Sequence, residues 1–449
     1  ESYMKISFYV RPWSYEYFKY VANQLGGHVK PHFVSDFKGL CKGDLSTEFY
    51  SSLNNIDRLS KIDISHLDEE RIISQDRLLR TLPHKDAINL IKAAHYSILK
   101  YLQKVNIDTF ISVTIDSYII DLIELNCKKL NIPFIGIHLT MISGYTLITA
   151  RGESNSIRNI DIDEVNSVHK RLTLSDYSVN YVENKNPPFS LALKRWLRSL
   201  IKIPYFEIVR RYRKDPLNYH YLATIAVSRS RSNINFLRYK SFFCEHWEDR
   251  ISSSLSKIYM PIQFHPECNS EYWSKVQKFL PYEDGFLSVA KELSQEFQII
   301  VKEHPEMIGL RSPEFYRSLK NMNNVTLAPV GVSQEKLIDI CDVCATWNSS
   351  VGIESILRNK PVITFASPFY ALGDCYLTIE DDINILSEVK KFLGKGNSVT
   401  HNQQKIILKH ILSTSMLGHP DEIFFDTKNH KKVSDAQKLS SSLKDFLNL

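Results

Sequence analysis

In Ile299-IVKEHP-Glu306 an apolar run stops on Lys302, Glu303, His304 and Pro305. The run predicts a strand, and Pro305 predicts its end, since proline has no N–H to give to a ladder. In open α/β sheets ligands bind outside the carboxyl ends of strands, so Lys302 and His304 become candidates to meet an anion there. The alternative is a Lys-Glu-His trio that merely solvates a loop. Outward from this segment, whose apolar run spans 298–302, further runs recur at 258–264, 325–328, 342–346 and 361–365, each separated from the next by a stretch that reads as a helix. The first half shows the same alternation. Strands are predicted from Lys5 to Val10, from His28 to Val34, across Asp108-TFISVTI-Asp116 and across Pro133-FIGI-His138, with helices near 15–25, 86–104 and 117–130 and a polar insertion at 38–80. Strands spaced by helices imply parallel pairing through crossovers. The expected fold class is therefore α/β: two facing Rossmann-like domains, with a helical bridge and an interdomain cleft. The boundaries expected are 1–150, a bridge at 151–257 with basic amphipathic helices, and 258–449, with the last helices crossing back.

Composition narrows the class without naming a partner. Of the 449 residues, 43% are hydrophobic and 24% charged, which excludes a disordered or collagen-like chain. A net charge of +6 is too small at this length to imply wholesale nucleic-acid binding. The cysteines, at 41, 127, 244, 268, 341, 344 and 375, form an odd set that fits reduced thiols in the cytosol. Cys341 and Cys344 lie inside an apolar segment with no second pair at ligand spacing, so core packing is expected there and no metal. The N-terminal apolar run is shorter than a signal-peptide core of ~7–15 residues or a membrane span of ~20. Met4 is the expected natural start.

Two further segments carry candidate chemistry in the second half. In Thr346-WNSSVGIE-Ser355 a strand ends and a helix begins near Ser350; Asn348, Ser349 and Ser350, beside helix N–H groups, suit a phosphate, and Glu354, one turn on, suits ribose hydroxyls. Ordinary capping is the alternative. In Met260-PIQFHPE-Cys268 the residues Gln263, His265 and Glu267 alternate with Phe264 and Pro266, so three polar groups share one side of an extended segment. A wet linker would show the same pattern. No G-x-x-x-x-G-K-[ST] or G-x-G-x-x-G is present.

In the first half Asp116 and His138 each end a strand, and either suits a general base toward an acceptor hydroxyl. The stretch after His138, LTMISGYTLITARGE, reads as a long loop, and Asp161-Ile162-Asp163 as solvated loop rather than a metal-holding D-x-D. Ser190-LALKRWLRSLIKIPYFEIVRRYRK, ending at Lys214, carries eight Lys/Arg against one acidic residue, Glu207. It suits an anionic membrane surface, or equally a bridge helix with its Leu/Trp face buried on the protein.

Gln263-FHP-Glu267, Lys302-EHP and Asn348-SSVGIE-Ser355 followed by Lys360-PVITF together resemble the bacterial capsule polysaccharide biosynthesis family, which includes retaining β-Kdo glycosyltransferases and related enzymes for nine-carbon acidic sugars. The resemblance is best over 258–376, with a weaker echo at 108–152. It implies a two-domain GT-B arrangement with an N-terminal acceptor domain and a C-terminal donor domain, a CMP-activated acidic sugar (Kdo, or a nonulosonate such as pseudaminic, legionaminic or sialic acid), no metal, and a glycan or lipid-linked glycan acceptor. By that resemblance Gln263, His265, Lys302, His304, Pro305, Asn348, Ser349, Ser350 and Glu354 bind donor, His138 binds acceptor, and Glu267 or Asp116 is the catalytic carboxylate. Glu267 stands where the Q-x-x-x-D/E pattern allows Asp or Glu. The expected place is the cytoplasm, peripheral on the inner face of the membrane. Two other readings remain open at this stage: a glycan-binding or assembly protein without turnover, and a transferase using a UDP- or GDP-activated neutral sugar.

Overall fold

The computed structural model describes residues 3–174, 189–215, 239–243, 246–265, 267–274, 279–366, 368–396, 398–420 and 425–449. Cys244, Pro187, Pro188 and Pro266 lie outside the described residues. The chain divides into two compact units. One comprises Glu1–Asp161, Arg210–Tyr219 and His410–Leu449; the other comprises Ile162–Val209 and His220–Lys409.

The first unit holds β1 (Met4–Tyr9), β2 (Val29–Ser35), β3 (Gly43–Asp44), β4 (Thr109–Val113), β5 (Phe134–Leu139), β6 (Tyr145–Ile148) and, from late in the chain, β13 (Ser415–Leu417). Their order is β13-β6-β5-β4-β1-β2-β3. The pairs from β3 to β5 are parallel, whereas β6 runs antiparallel to both β5 and β13. Helix His84–Val105 buries Ala87, Leu90, Ile91, Ala94, Ile98 and Leu102, the spacing of one helical face, and ends on Asn106 in the left-handed region. Ile6 and Phe8 of β1 share a core with Ile111, Ile135 and residues Ala436, Leu439 and Leu443 of helix His430–Leu447.

The stretch after His138 is not a continuous loop. Thr140 Oγ1 accepts from the Ile142 N–H (3.1 Å) and donates to the Tyr145 carbonyl (3.0 Å), while Gly144 takes a φ of +89°. These close a hairpin that returns as β6; four residues are too few for a period to show in sequence. Asp161-Ile162-Asp163 likewise opens a helix, Ile162–Leu172, with both carboxylates exposed in keeping with a solvated site.

The second unit holds β7 (Lys257–Pro261), β8 (Gln298–Lys302), β9 (Val325–Ala328), β10 (Val343–Thr346), β11 (Val362–Thr364) and β12 (Tyr376–Thr378) in the order β12-β11-β10-β7-β8-β9. Every pair is parallel. Counted from β7, this is the 3-2-1-4-5-6 order of a doubly wound sheet, whose direction reverses between β7 and β10. All five residues of β8 are buried, as a strand covered on both faces requires. Cys341 and Cys344 are buried in this core, where desolvation pushes the Cys344 thiol up to about 12 and the Cys341 thiol up as well.

Gly136 sits where β5 passes β6: a Cβ there would stand 2.2 Å from the Thr149 carbonyl oxygen, which is backbone and cannot rotate away. Gly136→Ala should therefore destabilise the first unit by roughly 1–3 kcal/mol, read as a lower urea midpoint; an unchanged midpoint would refute this packing.

Candidate functional site

The reversal between β7 and β10 is where a doubly wound sheet opens a crevice for a ligand. Three of the segments singled out in the sequence arrive there or beside it. Gln263 and His265 follow β7, His304 follows β8, and Asn348 to Ser350 follow β10. The two loops at the reversal touch: the Asn348 N–H points at Gln263 Oε1 at 3.5 Å, and Asn348 Nδ2 donates to the Asn269 carbonyl at 2.7 Å. Asn348 is buried, and among the described residues its Oδ1 has no donor. A buried amide oxygen left open is an unmet acceptor, costly unless a ligand or water completes it.

His265 stacks on Tyr282 at 5.4 Å, and the Tyr282 hydroxyl accepts from the Gln263 N–H at 2.8 Å. The Ser270 hydroxyl donates to the Glu267 carbonyl (3.0 Å), which leaves His265 Nδ1 to donate to Ser270 Oγ (3.1 Å). His304 has the opposite tautomer. Its Nδ1 accepts from the Glu306 N–H (3.2 Å), so Nε2 carries the proton, a neutral donor of the kind an anion meets. Pro305 begins the 3-10 turn Pro305–Met307 that presents it, and the ring meets Phe264 edge-on at 5.7 Å. Lys302 is 8% exposed, and its ammonium donates to the Val332 carbonyl at 2.6 Å.

After β10, Ser349 Oγ accepts from the Val351 N–H (3.3 Å) and the Ser349 carbonyl from the Gly352 N–H (3.1 Å). These first-turn donors of helix Val351–Leu357 are thus already bonded within the loop. Ser350 Oγ donates to Glu354 Oε1 (3.0 Å), and Gln334 Nε2 donates to Glu354 Oε2. Glu267 precedes helix Cys268–Glu271 as its cap residue and is half-buried.

Sequence reasoning missed the residue that ties these loops together. Arg311, with no exposed side-chain surface, donates through Nε to Glu303 (2.7 Å), through Nη1 to Glu283 (2.7 Å) and through Nη2 to the Gln263 carbonyl. Glu303 also accepts from Tyr316 Oη and from the His304 N–H, both at 2.6 Å. The glutamate of Lys302-EHP is therefore structural: it fixes the backbone from which His304 projects. An arginine in a loop, nine residues beyond the lysine, gives no sequence signal of this.

In the first unit the corresponding reversal lies between β1 and β4. Arg11, just past β1 and 4% exposed, forks onto Asp116: Nη1 donates to Oδ2 and Nη2 to Oδ1, both at 2.7 Å. Nη2 also reaches Ser117 Oγ at 3.2 Å, and the guanidinium lies over the rings of Tyr9 and Trp13 at 5.4 and 5.5 Å. Arg11-Pro-Trp at a strand end could have been found by the same carboxyl-end rule that found Asp116. His138, in β5, feels both its burial, which pulls the imidazole down to about 4, and the opposing charge of Asp116. The two first-unit candidates are thus brought within electrostatic reach of one another. Among the described residues no group of three His, Cys, Asp or Glu is placed to hold a metal ion.

Removing Arg311 leaves Glu303 buried and partly unpaired, so Arg311→Met should cost the second unit ~3–5 kcal/mol in urea unfolding; a cost below ~1 kcal/mol would show that the pair does not hold the loops. In the first unit, an imidazole lowered on folding binds fewer protons than the unfolded chain between about 4 and the ordinary ~6.5. Its stabilising share is complete above that window and is lost as pH falls through it. His95, likewise lowered to about 4 by burial, adds to the same loss. The urea midpoint of the wild-type first unit should drop more steeply on acidification than that of His138→Gln; equal slopes would refute the lowering of the His138 imidazole.

Residues 267–381 match the family model described as capsule polysaccharide biosynthesis protein. The lipopolysaccharide-processing protein LpsZ of Rhizobium meliloti is 26% identical over 88 residues, 20% of this chain and 20% of that protein, so the chain matches about a fifth of that relative's length. Among solved structures, Thermosulfurimonas dismutans KpsC, beta Kdo 2,7 transferase, aligns over 99% of this chain and 100% of its own at 12% identity, with a TM-score of 0.38. The Methanocaldococcus jannaschii UDP-GlcNAc 2-epimerase in complex with UDP-GlcNAc and UDP aligns over 90% and 97% at 13% identity, with a TM-score of 0.28. Lys302-EHP and Asn348-SSVGIE both fall inside the matched residues, so over 267–381 the chain is similar to the capsule polysaccharide biosynthesis family.

Proposed function

We propose that the chain is a glycosyltransferase of GT-B type that moves an acidic 3-deoxy sugar, Kdo or a nonulosonate, from its CMP donor to a surface-polysaccharide acceptor in the cytoplasm, without a metal. The observation that carries the reading is the buried, unmet Asn348 Oδ1 at the sheet reversal, within the family-matched residues and beside two imidazoles of opposite tautomer. An amino group of a base or a hydroxyl of ribose would complete that acceptor. Scission of a CMP–sugar bond develops positive charge at the anomeric carbon and negative charge on the departing phosphate. On this reading His304 Nε2–H and the Ser349 hydroxyl take the phosphate, Gln263 and His265 orient the donor, and Glu354 takes ribose, while Lys302 and Ser350, expected from the sequence to meet the phosphate too, give their protons to the Val332 carbonyl and to Glu354 and hold the loops in place. Glu267, in the same unit as these residues, is the carboxylate for the anomeric centre. Asp116, with both oxygens held by Arg11, and His138 serve the acceptor hydroxyl.

Calorimetry should show CMP bound more tightly than UMP or GMP, and about tenfold weaker binding to His304→Ala, the loss of one hydrogen bond to a charged group. Mass spectrometry of products formed from CMP-Kdo or CMP-nonulosonates should show transfer that Glu267→Gln abolishes. No nucleotide affinity would overturn the reading. Preference for UMP or GMP would point to a neutral-sugar donor, and glycan binding without product to a non-catalytic role.

A further inference from the structure

Among the described residues, helix Phe189–Arg213 presents an exposed apolar side. Leu197, Leu200, Ile201, Tyr205, Ile208 and Tyr212 are between 46% and 87% exposed. On a helix of ~3.6 residues per turn they fall within one arc of about 140°. Burial of the Leu/Trp face on the protein, the alternative left open by the sequence, applies to Trp196, which packs against the core of the second unit away from that arc, but not to these leucines. Arg198, Lys202 and Arg213, all exposed, run along one border of the apolar stripe, and Lys194 and Arg211 rise within it on stems long enough to carry their charges clear.

We infer that this stripe lies in the surface of an anionic lipid bilayer, its apolar row at the boundary between headgroups and acyl chains and its basic rows among the lipid phosphates. Exposed contiguous apolar surface marks an interaction site, and eight basic residues against the single acidic Glu207 select a partner dense in negative charge. The helix lies along the bilayer and does not cross it: among the described residues no helix is long and apolar enough to cross a membrane. The inference does not rest on the transferase reading, since neither the nucleotide site nor its family match includes this helix.

The test is co-sedimentation of the full chain with vesicles of phosphatidylcholine alone and of equimolar phosphatidylglycerol and phosphatidylcholine. Binding should be at least about tenfold stronger to the anionic vesicles at low salt and should weaken as salt rises. The triple change Ile201→Ser, Tyr205→Ser, Ile208→Ser should reduce it about tenfold, as should Arg198→Glu, Lys202→Glu, Arg213→Glu. Hydrogen exchange on the unchanged chain provides a measurement free of folding defects: amides of 193–212 should be protected by anionic vesicles and not by neutral ones. Absence of vesicle binding, or binding and protection indifferent to lipid charge, would overturn the inference, and so would full binding by a folded serine triple. Self-association lost in the serine triple, without vesicle binding, would assign the stripe to a second copy of the chain and equally overturn it.

Discussion

The geometry of the second unit's site hangs on one buried guanidinium. Arg311 spends its fork on two carboxylates and a backbone carbonyl drawn from three separate parts of the chain: Glu283 on a helix, Glu303 after β8 and Gln263 after β7. A charge so fully desolvated is tolerable only when its partners are all in place, so the arrangement has little freedom to relax. That rigidity is what lets His304 and His265 hold definite tautomers on loops that would otherwise be the most pliable part of a sheet edge. Arg11 plays a comparable part in the first unit, where it fixes the carboxylate of Asp116.

Both sheets were legible because their strands are apolar runs bracketed by proline, asparagine or charged residues. The runs at 298–302 and 325–328 coincide with β8 and β9 to the residue. Elements that depend on distant partners were not legible. The strand β3 has two residues, and β13 pairs with a strand more than two hundred positions earlier, so neither has a local period to reveal it. The polar insertion at 38–80 contains helices Ser46–Leu53 and His66–Gln75, whose faces are too mixed in polarity to stand out.

For the site, the carboxyl-end rule picked out loops that the fold gathers at or beside the sheet reversal, but not the division of labour within them. It separated neither Glu303, which is committed to Arg311, nor Lys302, whose ammonium is engaged by the Val332 carbonyl, from residues that face outward. Such commitments are made by side chains such as Tyr282, Tyr316 and Arg311 that come from elsewhere in the fold, and nothing in the spacing of a motif encodes them. The tautomers of His265 and His304 are in the same position: one is set by the Ser270 oxygen that accepts from Nδ1, the other by the Glu306 N–H that donates to Nδ1, and only three-dimensional placement supplies these neighbours.

The assignment of 410–449 to the first unit has a consequence for biosynthesis. Strand β13 closes an edge of the first sheet, and helix His430–Leu447 covers the core beneath β1, yet both leave the ribosome after every strand of the second unit. The second unit can therefore complete its sheet during translation. The earlier-made first unit must wait, with an open strand edge and a bare apolar face, for residues synthesised some four hundred codons after β1. Shielding of that nascent half, by slow emergence or by a chaperone, is part of what this order of assembly demands.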